Sequence, residues 1–210
     1  MSEYEQPYLW RYATKKFDPT KKVSEQDLQT ILESVRFAPS SYGIQPWKFY
    51  LVESPEVRVK LWELSYKQNQ VQDASHLLIL SHRVSIEEKD IDAYISDIKE
   101  TRGVSDEDIS GYRGLMMGVV QNLSPEASGV WASKQVYLAV GFVLATLAQM
   151  HIDACPMEGF DASAVSDVIG ATQEGYRASI LLPFGYRAED DSCATLKKVR
   201  FSQEKIIARL

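Results

Sequence analysis

The chain has 210 residues, 45% hydrophobic and 25% charged, values of a folded globular protein that exclude a disordered or fibrous one. That length supports one sizeable core that needs no disulfide or metal staple. The formal net charge of -6 excludes bulk binding to nucleic acid, whose phosphates demand a basic footprint, but leaves room for a local basic site holding one phosphate.

In chain order, the N-terminus Met-Ser-Glu-Tyr-Glu-Gln-Pro is acidic and polar and does not read as a secretory signal. The first predicted helix covers 24–38. Ser24 can cap the amide of Asp27, Leu28, Ile31, Leu32 and Val35 recur at helical spacing, and Pro39 stops the run. Turn chemistry follows from Pro39 to Pro46, then a strand at 47–52, where aromatic and β-branched residues take over. Residues 55–72 predict one helix entered through Ser54-Pro55, and 75–82 a strand, because Leu77-Leu78-Ile79-Leu80 is an apolar run covered on both faces. Residues 86–101 and 106–122 are amphipathic helical patterns of the kind that sit over a pocket.

The strongest helix is predicted at 127–151. Val136, Leu138, Val140, Phe142, Val143, Leu144 and Leu147 leave it little polar face, which suggests a helix shared with a second subunit. Its apolar stretch, Val136–Met150, is shorter than the roughly 20 residues a bilayer span needs, so no membrane partner is expected. A loop at 152–161, a helix at 161–170, a strand at 178–185 and a polar tail complete the chain. Separated strands without G-x-G-x-x-G or G-x-x-x-x-G-K-[ST] point to an α+β sheet packed by helices rather than a Rossmann or P-loop domain.

Catalytic candidates are sparse. His76, His82 and His151 lack metal spacing, Cys155 and Cys193 form no CxxC and read as reduced thiols, and no nucleophile elbow occurs. No metal site is expected, and a bound cofactor would have to carry any difficult chemistry. Four segments could hold one. Arg11 to Asp18 crowds basic residues among aromatics, and Lys198-x-Arg200 offers a second basic pair; each alone also fits a solvated basic turn. Pro39 to Trp47 is a stiff loop with the hydroxyls of Ser40 and Ser41 and the amide of Gln45, or simply a helix stop before a strand. Cys155 to Asp161 combines Gly159, which permits close backbone approach, with a helix start, and is equally a plain helix entrance.

Arg11-Tyr12-Ala13-Thr14-Lys15-Lys16-Phe17, Ala38-Pro39-Ser40-Ser41, Gln45-Pro46-Trp47, Asp73-Ala74-Ser75-His76, Lys134-Gln135-Val136-Tyr137, Pro156-Met157-Glu158-Gly159-Phe160-Asp161 and Lys198-Val199-Arg200 occur in order. As an ordered set they resemble the oxygen-insensitive NAD(P)H nitroreductase family over nearly the whole chain, most weakly between about 84 and 125. The resemblance implies one domain over 1–210, with about 84–125 as a helical insertion over the active site. It implies a mostly antiparallel central sheet flanked by helices, and a long buried helix at a homodimer interface.

It further implies FMN at that interface, NAD(P)H as electron donor, and ping-pong hydride transfer to nitroaromatics, quinones or other flat acceptors, with no catalytic side chain. By matching motif, Arg11, Lys198 and Arg200 would hold the phosphate, and Tyr12, Ala13 and Lys15 the ring and ribityl chain. Pro39, Ser40 and Ser41 would come from the other subunit, and the Pro156-Met157-Glu158-Gly159 backbone would face the flavin, with one amide donating to N5. Three departures stand out. Tyr12-Ala13 replaces the family's frequent His-Ser and loses one hydroxyl contact. Lys67, Asn69 and Gln70 fall where members often carry a ring-contacting Asn and Lys, which predicts an altered flavin potential. Met116 and Met117 lie near the substrate-gating aromatic, which predicts a differently shaped acceptor pocket. Other expectations are flavin or enone reduction or dehalogenation on the same fold, a flavin sensor or store without efficient turnover, and a helical dimerisation module without cofactor. Two reduced cysteines and the absence of a signal make a cytoplasmic protein the expectation.

Overall fold

A computed structural model describes residues 5–210; the first four residues of the acidic N-terminal segment lie outside it. The elements run α1 (Glu5–Trp10), α2 (Glu25–Arg36), β1 (Trp47–Leu51), α3 (Pro55–Leu64), α4 (Gln70–Asp73), β2 (His76–Arg83), α5 (Glu88–Arg102) and α6 (Asp106–Gln121). They continue with α7 (Pro125–Gln149), β3 (Asp153–Ala154), α8 (Ala162–Val168), β4 (Tyr176–Gly185) and α9 (Gln203–Ile206). The strands form one antiparallel sheet in the order β1-β2-β4-β3, the α+β arrangement expected.

Strand alternation sorts the core into two layers. From β2 and β4, Leu78, Leu80, Ile180, Leu182 and Phe184 pack against α2 and α7. Leu77, Ile79 and Leu181 point the other way, against Leu61 of α3, Val165 of α8 and Phe17. Both faces of the two central strands are therefore dry, which is why their sequences read as unbroken apolar runs. A third cluster, Ile91, Ile95, Ile98, Met116 and Val120 with Ala132 of α7, gives α5 and α6 a core of their own.

Local sequence explains most boundaries. Ser24, Ser54, Ser105 and Ser124 each accept the amide three residues on and so cap α2, α3, α6 and α7, with Pro55 and Pro125 at the first helical turns. The continuous helix expected over 55–72 is instead two. Ser65 closes α3, and Tyr66 and Lys67 adopt left-handed φ of 52° and 55° before α4 restarts at Gln70. The expected loop at 152–161 contains the two-residue strand β3, and Met157 bridges Leu181. The short helix α1 was not among the elements expected from the sequence.

Helix α7 is 25 residues long and apolar enough in length and composition to cross a bilayer, unlike the shorter run at 136–150. Its inward face, Val136, Ala139, Val143 and Leu147, is packed on the sheet and α2, and Ala132 nearer its start packs with α5 and α6. Its outward face leaves Val130, Tyr137, Leu138 and Phe142 about half exposed. A polar stitch fixes its N-terminal end: buried Ser128 Oγ accepts the Ile86 amide at 2.9 Å. Next to it, a Cβ on Gly129 would lie 2.4 Å from the Val84 carbonyl oxygen. Gly129→Ala is therefore expected to destabilise the fold by about 1–3 kcal/mol in urea titrations. Gly111→Ala, at a position in α6 with open space around it, is expected to stabilise by up to about 1 kcal/mol.

Candidate functional site

The N-terminal segment after α1 is laid along the far edge of the sheet. Ala13 bridges Ala154 in parallel, Phe17 bridges Arg187, and the Thr14, Asp18 and Ala188 amides donate to Ala154, Tyr186 and Lys16 carbonyls. Two buried carboxylates secure the joint. Asp153 accepts from Thr14 Oγ1 at 3.3 Å and from the Arg187 backbone and Nε at 2.9–3.0 Å, while the Arg187 guanidinium lies 4.4 Å from the Trp10 ring centroid and 4.6 Å from that of Tyr12. Asp191 accepts from Tyr12 Oη at 2.9 Å, from the Lys15 and Lys16 amides at 2.8 and 3.2 Å, and from the Cys193 amide at 3.0 Å.

This routing brings the two basic clusters, 187 residues apart in sequence at Arg11 and Lys198, to one cleft of about 360 Å³. Its walls include Arg11, Tyr12, Ala13, Cys193, Lys198 and Arg200. The Lys198 ammonium donates to the Arg11 carbonyl. Burial, then the charge of Arg200, lowers the Arg11 pKa. Burial, then Arg11 and Arg200, lowers that of Lys198. The cations thus crowd one another, the condition an anion relieves. Burial and the bond to Asp191 raise the Tyr12 phenol, which stays protonated as a donor. Lys15 points at the next segment, its Nζ 4.0 Å from Cys155 Sγ, and burial raises the Cys155 thiol despite the pull of Lys15.

Residues 156–161 form the loop between that bridge and α8, which Asp161 caps through the Ser163 and Ala164 amides. Two contacts hold its tip. Tyr137 of α7 donates to the Glu158 carboxylate, and Gln68 Nε2 donates to the Gly159 carbonyl at 2.9 Å. A Cβ on Gly159 would sit 3.2 Å from Gln68 Nε2. Burial, then the bond to Glu158, pushes the Tyr137 phenol up to about 12. Among the described residues the Glu158 and Gly159 amides donate to no protein acceptor, while the Met157, Phe160 and Asp161 amides are all bonded.

Of the three positions singled out near the second helix, Lys67 is exposed, its ammonium 5.7 Å from the Trp62 ring centroid. Asn69 accepts from Trp62 Nε1 at 3.1 Å, and Gln70 is buried. The residue that reaches the Gly159 loop is Gln68, between them. The left-handed Tyr66-Lys67 pair turns the chain so that Gln68 faces it, a strained conformation of the kind that collects at binding sites.

Pro39, Ser40 and Ser41 lie elsewhere. The Ser41 amide donates to buried Gln135 Oε1 at 2.9 Å, Tyr42 takes φ 56°, and Tyr112 Oη donates to the Tyr42 carbonyl at 2.7 Å. Ser41 and Tyr42 open onto a groove of about 750 Å³ between α6 and α7, walled by Val119, Leu123, Trp131 and Lys134. It shares no lining residue with the Arg11 cleft. Met116 is buried in the α5–α6 core and Met117 packs against it, so Val119 of α6 and Leu123 of the turn after it, not these methionines, line the groove.

Comparison with known proteins reports on the whole chain. The model of the nitroreductase family matches residues 8–186. A Bacillus subtilis protein named as an NAD(P)H nitroreductase, YfkO, is 37% identical over 194 residues, covering 87% of this chain and 88% of its own. Among solved structures, B. subtilis YdfN, named as a nitroreductase, superposes with a TM-score of 0.87 at 18% identity, covering 99% of both chains. One from Exiguobacterium sibiricum, solved in complex with FMN, has a TM-score of 0.83 at 21% identity, covering 100% of this chain and 98% of its own.

Crowded cations predict anion binding. For the protein freed of bound ligand, inorganic phosphate at ten times its dissociation constant should raise Tm by about 3–5 °C over chloride at equal ionic strength. Arg200→Ala should abolish most of that difference. Equal shifts with both salts would remove the cleft as an anion site.

Proposed function

The chain belongs to the nitroreductase family, and from that premise we propose that it is an FMN-dependent NAD(P)H oxidoreductase acting as a homodimer. The observation that carries this reading is the convergence of Arg11, Lys198 and Arg200 on one cleft of a chain whose net charge is -6. The residues present suit FMN: three cations for a phosphate dianion, and the unengaged amides of Glu158 and Gly159 for polar ring atoms. Bound FMN would supply the chemistry, taking hydride from NAD(P)H and passing it to a nitroaromatic, quinone or similar flat acceptor in a ping-pong cycle.

The protein's part is position and electrostatics. Arg11 and Arg200 offer forked donors matched to phosphate oxygens, and Lys198 adds a point charge. Tyr12 and Ala13 line the cleft beside them, and Lys15, further along the same segment, would supply positive charge to a bound ring that gains negative charge. Pro156, Met157, Glu158 and Gly159 present backbone to the ring, their tip held by Tyr137 and Gln68. Lys67, Asn69 and Gln70 would act as supports of the segment that carries Gln68, which makes the contact to the loop.

The dimer reading rests on two features. The outward face of α7 exposes Val130, Tyr137, Leu138 and Phe142, a second apolar stripe on one helix. Pro39, Ser40 and Ser41 line no part of their own chain's Arg11 cleft, so contacts from them to a cofactor call for a second copy. In that assembly α5 and α6, within the 84–125 segment of a single 1–210 domain, would cover the site. A cytoplasmic location accords with the free thiols Cys155 and Cys193.

Purified protein should be yellow and bleach anaerobically with NADH or NADPH. A colourless protein that binds no added FMN would overturn the proposal, and a yellow one that neither nucleotide bleaches would favour a flavin store. Arg11→Ala or Arg200→Ala should weaken FMN binding by about 10- to 150-fold, the value of a charge-assisted contact. Lys60→Ala, at an exposed position of α3, should leave it unchanged.

A further inference from the structure

We propose that Asp191 is a positioning residue for FMN: its single carboxylate sets the two halves of the phosphate cleft against each other. This rests on the reading of that cleft as the FMN site. Asp191 Oδ2 accepts from Tyr12 Oη and from the Lys15 and Lys16 amides, which fixes the segment carrying Arg11, Tyr12 and Lys15. Asp191 Oδ1 accepts from the Cys193 amide and caps the short turn Ser192–Thr195, from which the chain leads through Leu196 to Lys198 and Arg200. One oxygen orients the N-terminal cations and the other starts the C-terminal ones.

The residue's chemistry argues for this role. Asp191 is 3% exposed, and burying a carboxylate is costly unless its oxygens are satisfied. Burial would raise its pKa, but the bonds from Lys15, Cys193, Lys16 and Tyr12 together outweigh that and hold it below the usual carboxylate range. A negative charge beside a cleft for an anion weakens binding by its field alone. Its benefit must therefore be geometric: four donors converge on it from segments more than 170 residues apart. The neighbouring Asp190 shows the contrast. It makes only an exposed ion pair with Lys16, side chains 58% and 72% exposed, and organises nothing.

The test is FMN dissociation measured on the full-length holoprotein by flavin fluorescence after dilution, well below the melting temperature of every variant. Asp191→Ala should raise the FMN dissociation constant about 10- to 100-fold, from the loss of hydrogen bonds to a charged group. Asp191→Asn keeps one acceptor oxygen for the Lys15 and Lys16 amides but turns a donor toward the Cys193 amide, so it should recover only part of that loss. Leu61→Ala, a fully buried core position of α3, serves as the control for destabilisation alone and should leave FMN affinity within about threefold. Wild-type affinity in Asp191→Ala would overturn the proposal, as would a loss no larger than that of Leu61→Ala. Failure of the wild type itself to bind FMN would instead overturn the functional reading on which it rests.

Discussion

The site depends on the pairing of Ala13–Asp18 with the edge formed by β3 and the exit from β4. Without it, Arg11 and Arg200 belong to opposite termini of an acidic chain and have no reason to meet. The pairing is brief in backbone terms, with bridges at Ala13–Ala154 and Phe17–Arg187. Its permanence comes from what surrounds it: Phe17 buried in the core layer with Leu61 and Leu77, Asp153 bonded to Arg187 and Thr14, and Asp191 bonded to Tyr12, Lys15 and Lys16. These carboxylates lie out of water, where satisfied polar contacts specify geometry strongly and broken ones are costly.

Helix α7 performs the complementary task. Its inner face completes the core against β2 and α2, Gln135 holds the Ser41 amide, and Tyr137 on its outer side holds Glu158. One helix therefore sets the position of two separate loops. The apolar stripe between them, Val130, Leu138 and Phe142, is the surface through which a second copy would unite them. On the proposed reading, dimerisation and cofactor binding would be a single requirement on the same helix.

How much of this the sequence disclosed follows from the range of each interaction. The helix at 24–38 was legible because a Ser24 cap and an apolar period are local signals, and its observed span, Glu25–Arg36, ends short of Pro39 as the dihedral restriction before proline demands. The doubly buried strands were legible from Leu77 to Leu80 for the same reason. The break at Tyr66-Lys67 was not, since the exposed residues that adopt the left-handed conformation there carry no turn signature. β3 has two residues, too few for any period to register. Asp191 was hidden within Glu189-Asp190-Asp191, a run that reads as solvated charge until the fold shows one of the three buried. The ordered motifs named the cations of the cleft; Asp191, Asp153 and Gln68, which position them or the facing loop, entered only through long-range bonds.

The central claim is that the two ends of the chain meet to bind a phosphate. Calorimetric titration of the flavin-free protein with FMN and with riboflavin, which lacks only that phosphate, tests it most directly. The account predicts that FMN binds at least about 100-fold more tightly, the value of two charge-assisted contacts, and that Arg200→Ala narrows the gap. Equal affinity for the two flavins would contradict it.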